Sequence, residues 1–297
     1  MTVKGNGLAR ALASAALVYA AVPCFAQGSD TTVVPFDLRT MRPIVEAYIN
    51  GKGPYKFVVD TGASGTMVTA ALAKALKLPQ IGTVLVSAPN NPNPIRAPQH
   101  RIRKLVVGDI TFFRQSATAI LDEDFARSLG ADGILSAADF RGYLVTFDYR
   151  KRQMLLTPGK LPEPDGENVL NFTRRELIPG VYLQVAGERV FCHLDSGSPF
   201  YIALPGRMLQ TLDFEQAPKL IGEAGSITGT FAVYQAKISG DISFGKYLLS
   251  SPTVQVMDKM PYGNLGYRFF RDYLITFDFR QSRVRLQHWR EAVEEGG

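Results

Sequence analysis

The stretch Phe57-Val58-Val59-Asp60-Thr61-Gly62-Ala63-Ser64 ends an apolar run with an Asp-Thr-Gly triplet. A related triplet, Asp-Ser-Gly, follows a second apolar run in Cys192-His193-Leu194-Asp195-Ser196-Gly197-Ser198. The apolar residues before each aspartate predict that it lies at the end of a buried strand. Two half-chains built this way and related by a pseudo-two-fold axis would bring the two carboxyl groups face to face.

Other segments of the chain are repeated in the same order. The segment Arg141-Gly-Tyr-Leu-Val-Thr-Phe-Asp-Tyr-Arg150 recurs as Arg271-Asp-Tyr-Leu-Ile-Thr-Phe-Asp-Phe-Arg280, with seven of ten positions identical. The triplet Gly108-Asp109-Ile110 recurs as Gly240-Asp241-Ile242. The offsets are 195 − 60 = 135, 241 − 109 = 132 and 271 − 141 = 130. A period this long predicts two domain-sized copies and not the short repeats of a solenoid.

Residues 1–26 have the pattern of an export signal. Lys4 and Arg10 precede the apolar run 11–22, and Cys24-Phe25-Ala26 offers small residues at a cleavage site. We therefore expect a signal peptide over 1–26 and a periplasmic or secreted mature protein. An uncleaved anchor or a disordered tail is the alternative. The run is short for a bilayer span, so no stable membrane insertion is expected after cleavage.

The remaining chain reads as short β-rich segments separated by turn residues, which predicts an all-β protein of packed sheets or barrels. Helices are expected only at 66–78, 123–129 and 289–295. The polar segment 161–167 contains Pro and Gly and predicts a linker. The expected domains are an N-terminal lobe over 30–160 and a C-terminal lobe over 168–290.

Charge and composition argue against other classes of function. The net charge is +6, but the basic residues are spread along the chain. Nucleic-acid binding would need a basic patch with aromatic platforms, so no nucleic-acid partner is expected. His100, His193 and His288 lack metal-ligand spacing, and no metal or other cofactor is predicted. Cys192 is expected to be a buried strand residue and His193 a structural histidine.

The paired triplets suit a specific chemistry. Two carboxyls about 3 Å apart share one proton, so the charged one can activate water while the protonated one donates to a carbonyl oxygen. Gly62 and Gly197 have no Cβ and allow close approach of the backbone to the carboxylates. Thr61 and Ser196 can each donate a hydroxyl to the opposite lobe.

Ser198 is expected to hydrogen-bond Asp195 and favour its charged form, whereas Ala63 offers no hydroxyl to Asp60. This difference makes Asp195 the expected base of the pair.

These motifs resemble those of the pepsin/retropepsin-like aspartic proteases, with both lobes fused in one bacterial-type chain. Phe57 to Ala63 is similar to the retropepsin form, and Leu194 to Ser198 is similar to the pepsin form. Asp132-Gly-Ile-Leu135 and Gly263-Asn-Leu-Gly266 resemble the element that crosses behind each catalytic loop. The resemblance implies two homologous β-barrel lobes, a central cleft, catalytic Asp60 and Asp195, and no cofactor. It also implies that a monomer hydrolyses a polypeptide bound in an extended conformation.

The sequence departs from this family at two places. Ser136 stands where the family has Gly, which questions the packing under Asp60. The candidate flap 88–95 of the first lobe is rich in Pro and Asn, while 222–234 of the second lobe is Gly-rich. We expect both lobes to cover the cleft. Two alternatives remain: a catalytically inactive peptide-binding module of the cell envelope, and a structural β-protein whose triplets are merely turns.

Overall fold

The computed structural model describes residues 31–88, 91–175, 177–227 and 229–289. The predicted signal peptide over 1–26 and nearly all of the predicted helix 289–295 lie outside these residues.

Strands make up most of the described chain. In the first half they are β1 (Thr32–Pro35), β2 (Ile44–Ile49), β3 (Lys52–Asp60), β4 (Met67–Thr69), β5 (Gln80–Ala88), β6 (Asn91–Val107), β7 (Ile110–Leu121), β8 (Gly133–Ser136), β9 (Leu144–Asp148) and β10 (Gln153–Thr157). In the second half they are β11 (Val169–Asn171), β12 (Thr173–Arg175), β13 (Ile178–Val185), β14 (Glu188–Leu194), β15 (Ile202–Pro205), β16 (Lys219–Ser226), β17 (Gly229–Lys237), β18 (Asp241–Phe244), β19 (Tyr247–Ser250), β20 (Thr253–Met257), β21 (Gly263–Leu265), β22 (Tyr273–Asp278) and β23 (Arg283–His288).

Helices in the described residues are short: α1 (Ala70–Ala75), α2 (Glu123–Leu129), α3 (Met208–Thr211) and α4 (Tyr267–Phe270), with a 3₁₀ turn at Ala137–Phe140. The predicted helix at 123–129 is confirmed. The predicted helix at 66–78 is wrong at both ends. At its start, Met67–Thr69 pairs with β7 and β8 as a strand, and at its end the helix stops at Ala75. The Thr69 hydroxyl then accepts from the Leu72 N–H and starts the helix one turn later than predicted.

Each half of the chain forms its own sheet. The first half has the strand order β2-β3-β8-β4-β7-β6-β5, and a β2–β6 pairing closes six of these strands into a barrel. The second half has the order β16-β17-β20-β15-β21-β14-β13-β18-β19, with β12 beside β13. In both halves a parallel strand pair, β3–β8 or β14–β21, ends at the Asp-containing loop.

A third sheet joins the two halves. Its order is β1-β10-β9-β22-β23-β11, so three strands come from each half and β9 pairs directly with β22. The main hydrophobic core runs from both of those sheets into this one, and Phe147 and Phe277 meet edge to face within it. The fold is therefore mostly β with few short helices, consistent with the expected all-β acid-protease class, and each half of the chain, called a lobe below, contributes a sheet of its own.

The strands that carry the aspartates are buried on both faces. Phe57, Val58 and Val59 are at most 1% exposed, because Phe57 and Val59 pack into the main core on one face and Val58 packs into a second apolar cluster on the other. A continuous apolar run, instead of an alternating one, is what a strand in this position requires. The segment 158–168 contains no helix or strand. The lobe boundaries at 30–160 and 168–290 stay a prediction.

Candidate active site

The loops after β3 and β14 bring Asp60 and Asp195 together. A Cβ atom built on Gly62 would lie 2.5 Å from Cγ of Asp195, and one built on Gly197 would lie 2.6 Å from Cγ of Asp60. Each carboxyl therefore lies directly against the glycine of the opposite loop. Any side chain at either glycine would displace the carboxyl group of the other lobe.

Each carboxyl is also held by its own loop. The Gly62 N–H donates to Oδ1 of Asp60 at 2.6 Å, and the Gly197 N–H donates to Oδ1 of Asp195 at 2.9 Å. These matched bonds give both side chains the same orientation relative to their loops. The aspartates thus face each other across the junction between the lobes.

Four hydrogen bonds between the lobes lock the two loops beneath the aspartates. The Thr61 hydroxyl donates to the Leu194 carbonyl at 2.6 Å, and the Ser196 hydroxyl donates to the Val59 carbonyl at 2.8 Å. The same hydroxyls accept from the backbone, Thr61 from the Ser196 N–H and Ser196 from the Thr61 N–H, both at 2.9 Å. Because Thr61 and Ser196 are buried, these bonds fix the loops without competition from water.

Ser136 fits the space that the sequence left in question. It is fully buried at the end of β8, opposite Asp60 in the β3–β8 register. Its hydroxyl donates to the Ala63 carbonyl at 2.7 Å, and its N–H donates to the Thr66 hydroxyl at 3.2 Å. The serine therefore ties the loop that follows Asp60 to the crossing strand.

The second lobe solves the same packing problem differently. A Cβ atom built on Gly266 would lie 2.6 Å from the Ser198 carbonyl and 2.8 Å from the Ser198 hydroxyl. The serine hydroxyl thus occupies space that in the first lobe belongs to the side chain of Ser136. The two lobes have a single hydroxyl each at this point, but on opposite sides of the contact.

The expected hydrogen bond from Ser198 to Asp195 is not the one that forms. The Ser198 hydroxyl accepts weakly from the Phe200 N–H at 3.4 Å. Asp195 instead accepts from the side-chain amide of Asn264, with Nδ2 2.5 Å from Oδ2. The expected donor, Ser198, is therefore wrong, and the donor to Asp195 comes from the crossing strand β21.

Burial and mutual repulsion shape the electrostatics of the pair. Burial is the main cause that raises the pKa of Asp60 well above its usual range, and the charge of Asp195 and a hydrogen bond between the carboxyls add to it. The Gly62 N–H and the Arg42 charge act in the opposite direction. A proton therefore stays on the pair when one of the two carboxyls is charged.

Arg42 places a positive charge beside this pair. Its Nε donates to the Gly197 carbonyl at 2.7 Å, across the lobe junction, and its Nη1 donates to the Thr40 carbonyl at 3.0 Å. Burial lowers the pKa of Arg42, and the charges of Asp195 and Asp60 oppose that shift. The guanidinium thus links the two lobes and favours a charged dyad.

His193 and Cys192 are buried, as predicted. Burial lowers the pKa of His193 to about 4, so the ring is neutral at higher pH. Cys192 is fully buried in β14, and burial raises the pKa of its thiol. In the described residues no group of three or more His, Cys, Asp or Glu side chains is arranged to hold a metal ion.

A hairpin of the second lobe, made of β16 and β17, reaches the first lobe. Ile227 at its tip packs on an apolar cluster that includes Ala63 and Met67, in the segment just after Asp60. Gly225 lies near the Phe125 ring of α2, with 3.8 Å from a built Cβ to Cε2. In the first-lobe hairpin β5–β6, Leu85 is 60% exposed, and residues 89–90 at the tip lie outside the described ones. That this hairpin also covers the cleft stays a prediction.

Sequence reasoning missed two residues of the site, Asn264 and Arg42. Asn264 carried a signal, because the comparison of Gly263-Asn-Leu-Gly266 with Gly133-Ile-Leu-Ser136 puts an amide where the first copy has isoleucine. Arg42 carried none, since its role depends on the docking of Gly197, 155 residues away.

The comparison with protein families points to the same class. Residues 45–137, which contain Asp60 and Ser136, match the family model described as aspartyl protease. This match supports a place for the chain among the aspartic proteases and, in general, a hydrolase that acts on peptides. No curated protein matches the chain. None of the described helices has the length and apolar character to cross a membrane.

Proposed function

We propose that this chain is an aspartic endopeptidase that hydrolyses peptide bonds with a water molecule activated by Asp60 and Asp195. The observation that carries the proposal is the reciprocal packing of the two carboxyls, each against the glycine of the opposite loop. The aspartyl protease match over residues 45–137 supports the general class. Two carboxyls so close cannot both ionise, so one is charged and the other protonated. This chemistry needs that state of the pair.

The proposed reaction is general acid–base catalysis. Asp60 holds the proton, since burial and the charge of Asp195 raise its pKa. The charged Asp195 takes a proton from water while the water oxygen attacks the carbonyl carbon, and Asp60 donates its proton to the carbonyl oxygen. When the gem-diol intermediate collapses, Asp195 gives its proton to the leaving amine, the C–N bond breaks, and one hydroxyl of the gem-diol returns a proton to Asp60 as it becomes the carbonyl oxygen. The dyad is then ready for another water molecule.

The proposed substrate is a polypeptide bound in an extended conformation across the cleft, with backbone hydrogen bonds like those of an added strand. The contact of Ile227 with the first lobe supports a cleft that is covered from the second-lobe side. Closure of such a hairpin over the substrate would exclude water other than the reacting molecule.

We also propose that the protein works outside the cytoplasm, in the periplasm or after secretion, as a monomer with lobes over 30–160 and 168–290. The signal-like pattern of residues 1–26 supports export. The sheet with three strands from each half supports a monomer, because both aspartates come from one chain.

The test is hydrolysis of a denatured protein by the wild type and by the Asp60→Asn and Asp195→Asn variants. We expect either substitution to abolish hydrolysis while the folded state persists in a thermal melt. Asp109→Asn and Asp241→Asn are matched controls, since these exposed residues are another repeated pair. Full activity in either dyad variant would contradict the proposal. A wild type that binds a statine-type inhibitor but cleaves no peptide in a mixed library would instead support an inactive peptide-binding module.

A further inference from the structure

The two lobes differ in one pair of residues beside the aspartates. In the first lobe Val58 lies opposite Ile134 in the parallel pair β3–β8. In the second lobe His193 lies opposite Asn264 in the parallel pair β14–β21. The equivalent positions are therefore apolar beside Asp60 and polar beside Asp195.

Asn264 makes a direct contact that Ile134 cannot make. Its Nδ2 donates to Oδ2 of Asp195 at 2.5 Å, and the residue is 8% exposed. The carboxylate fixes the orientation of the amide, because only the NH₂ group can donate to it. A hydrogen bond to a charged carboxylate in a buried site is stronger than one to a neutral carboxyl. Asn264 therefore stabilises the charged form of Asp195 selectively.

We propose that Asn264 is a positioning residue that gives the two aspartates fixed and unequal roles, with the negative charge on Asp195 and the proton on Asp60. This inference rests on the proposed function, since it assigns roles within the same dyad. The first lobe has no equivalent donor at Ile134. The pseudo-symmetry of the lobes is thus broken in favour of one arrangement of the proton.

His193 supplies a neutral polar surface next to Asn264. Its ring lies 5.3 Å from Tyr262 and 5.4 Å from Phe191, and the Arg175 guanidinium lies over both of those rings. Burial and the nearby Arg175 charge both disfavour a charged imidazole, against the pull of Asp195. His193 therefore adds no charge to the site above about pH 4.

Two buried polar atoms at this place have no partner among the described residues: Oδ1 of Asn264 and Nε2 of His193. Burying polar atoms without partners lowers stability. The polar pair His193 and Asn264 carries this cost, whereas the apolar pair Val58 and Ile134 of the first lobe does not. The groups that act electrostatically on the dyad or on His193 stay the same in every variant below; they are Arg42, Tyr149 and Arg175.

The test compares two substitutions in the full chain. Asn264→Ile installs the first-lobe residue and removes the donor. We expect kcat to fall about tenfold with little change in KM, and the pH–rate profile to move to higher pH by about one unit, because the charged dyad is less stabilised. Asn264→Asp keeps the size but donates only when protonated. We expect its profile to move to higher pH as well, because a carboxylate at position 264 repels the charge on Asp195.

These shifts separate positioning from packing, which would lower activity without moving either profile. Profiles that superimpose on the wild type, or that move to lower pH, would overturn the proposal. As a readout that needs no turnover, protein labelled with ¹³C at the aspartate carboxyls reports the protonation of the dyad directly. We expect the dyad signals of Asn264→Ile to titrate at higher pH than those of the wild type; an unchanged titration overturns the proposal.

The two proposals can fail separately. A wild type without hydrolysis would contradict the endopeptidase, while the carboxyl titration would still test Asn264. Should Asn264→Ile not fold, Asn264→Asp provides the same titration, and a normal titration in that variant overturns the proposal.

Discussion

Thr146 and Thr276 lie directly opposite each other in the antiparallel pair β9–β22, and their Oγ1 atoms are 2.8 Å apart. They are also equivalent residues of the two copies, since both follow the motif Tyr-Leu-(Val/Ile). A residue that meets its own counterpart lies on the axis that relates the two halves. The pseudo-two-fold axis of the molecule therefore passes between these two hydroxyls.

The hydroxyl pair on the axis should contribute to stability as a unit. We expect Thr146→Val or Thr276→Val to lower the free energy of unfolding by about 1–2 kcal/mol, because each leaves the other hydroxyl without its partner. The double variant should lose no more than a single one, since both polar groups are then gone. Urea unfolding of the four proteins measures this. Losses that simply add would contradict the pairing.

The hydroxyl lies on Ser136 in the first lobe and on Ser198 in the second. This difference predicts that Ala63 and Ser136 are energetically coupled. Ala63→Ser should destabilise the fold by about 1–3 kcal/mol, because its hydroxyl would press on the Ser136 side chain, as Ser198 would on a Cβ at Gly266. Adding Ser136→Gly should recover part of that loss and recreate the second-lobe arrangement. Thermal melts of both singles and the double show the coupling; independence of the two changes would refute it.

The raised pKa of Asp60 predicts how its substitution affects stability. A carboxyl whose pKa is higher in the folded state binds more protons there, so stability falls as pH rises from the unfolded value near 4 to the folded value. Asp60→Asn removes this loss. We expect the variant to be more stable than the wild type at neutral pH, by at most about 1.4 kcal/mol per pH unit in that window. The gain should vanish below about pH 4; a gain that grows on acidification would be the wrong sign.

The charge of Arg42 predicts a shift of the working pH. Since this charge favours a charged dyad, Arg42→Gln should move the pH–rate profile to higher pH and weaken the contact with Gly197. Arg39→Gln is the matched control, because Arg39 lies three residues away, pairs with Asp37 and has a side chain that is 76% exposed. Equal shifts in both variants would show that the effect is only one of net charge.

The contact of Ile227 with the first lobe predicts a role for the second-lobe hairpin in turnover. Ile227→Ser should lower kcat/KM by roughly tenfold, because a hairpin without its apolar anchor covers the cleft for less time. Leu220→Ser in the same hairpin is the control, as Leu220 is 56% exposed. Limited proteolysis of the hairpin, with and without a transition-state inhibitor, should show protection in the wild type only. Equal kcat/KM in the two variants would argue against closure.

Local patterns predicted much of this molecule. The apolar runs before Asp60 and Asp195 predicted buried strands, and the helix predicted at 123–129 has the bounds of α2, which Asp122 caps at its start and Gly130 at its end in the structure. The helix at 66–78 was wrong because strand pairing prevailed over helical spacing at Met67–Thr69.

The details of the site depended on contacts far apart in sequence. Asn264 reaches Asp195 over 69 residues, and Arg42 reaches Gly197 over 155. Those two contacts form only once both halves of the chain are folded and packed against each other. From the sequence alone, Ser136 in place of the family's Gly looked like a packing problem under Asp60. In the fold its hydroxyl donates a hydrogen bond to the Ala63 carbonyl.

The sheet shared by both halves has a mechanical consequence. The two lobes are joined both by the pairing of β9 with β22 and by the hydrogen bond from Thr61 to Leu194 beneath the aspartates. The lobes cannot separate without breaking both of these connections. Under the proposed function, a polypeptide would enter by movement of a covering hairpin, such as the one that ends at Ile227, and not by separation of the lobes.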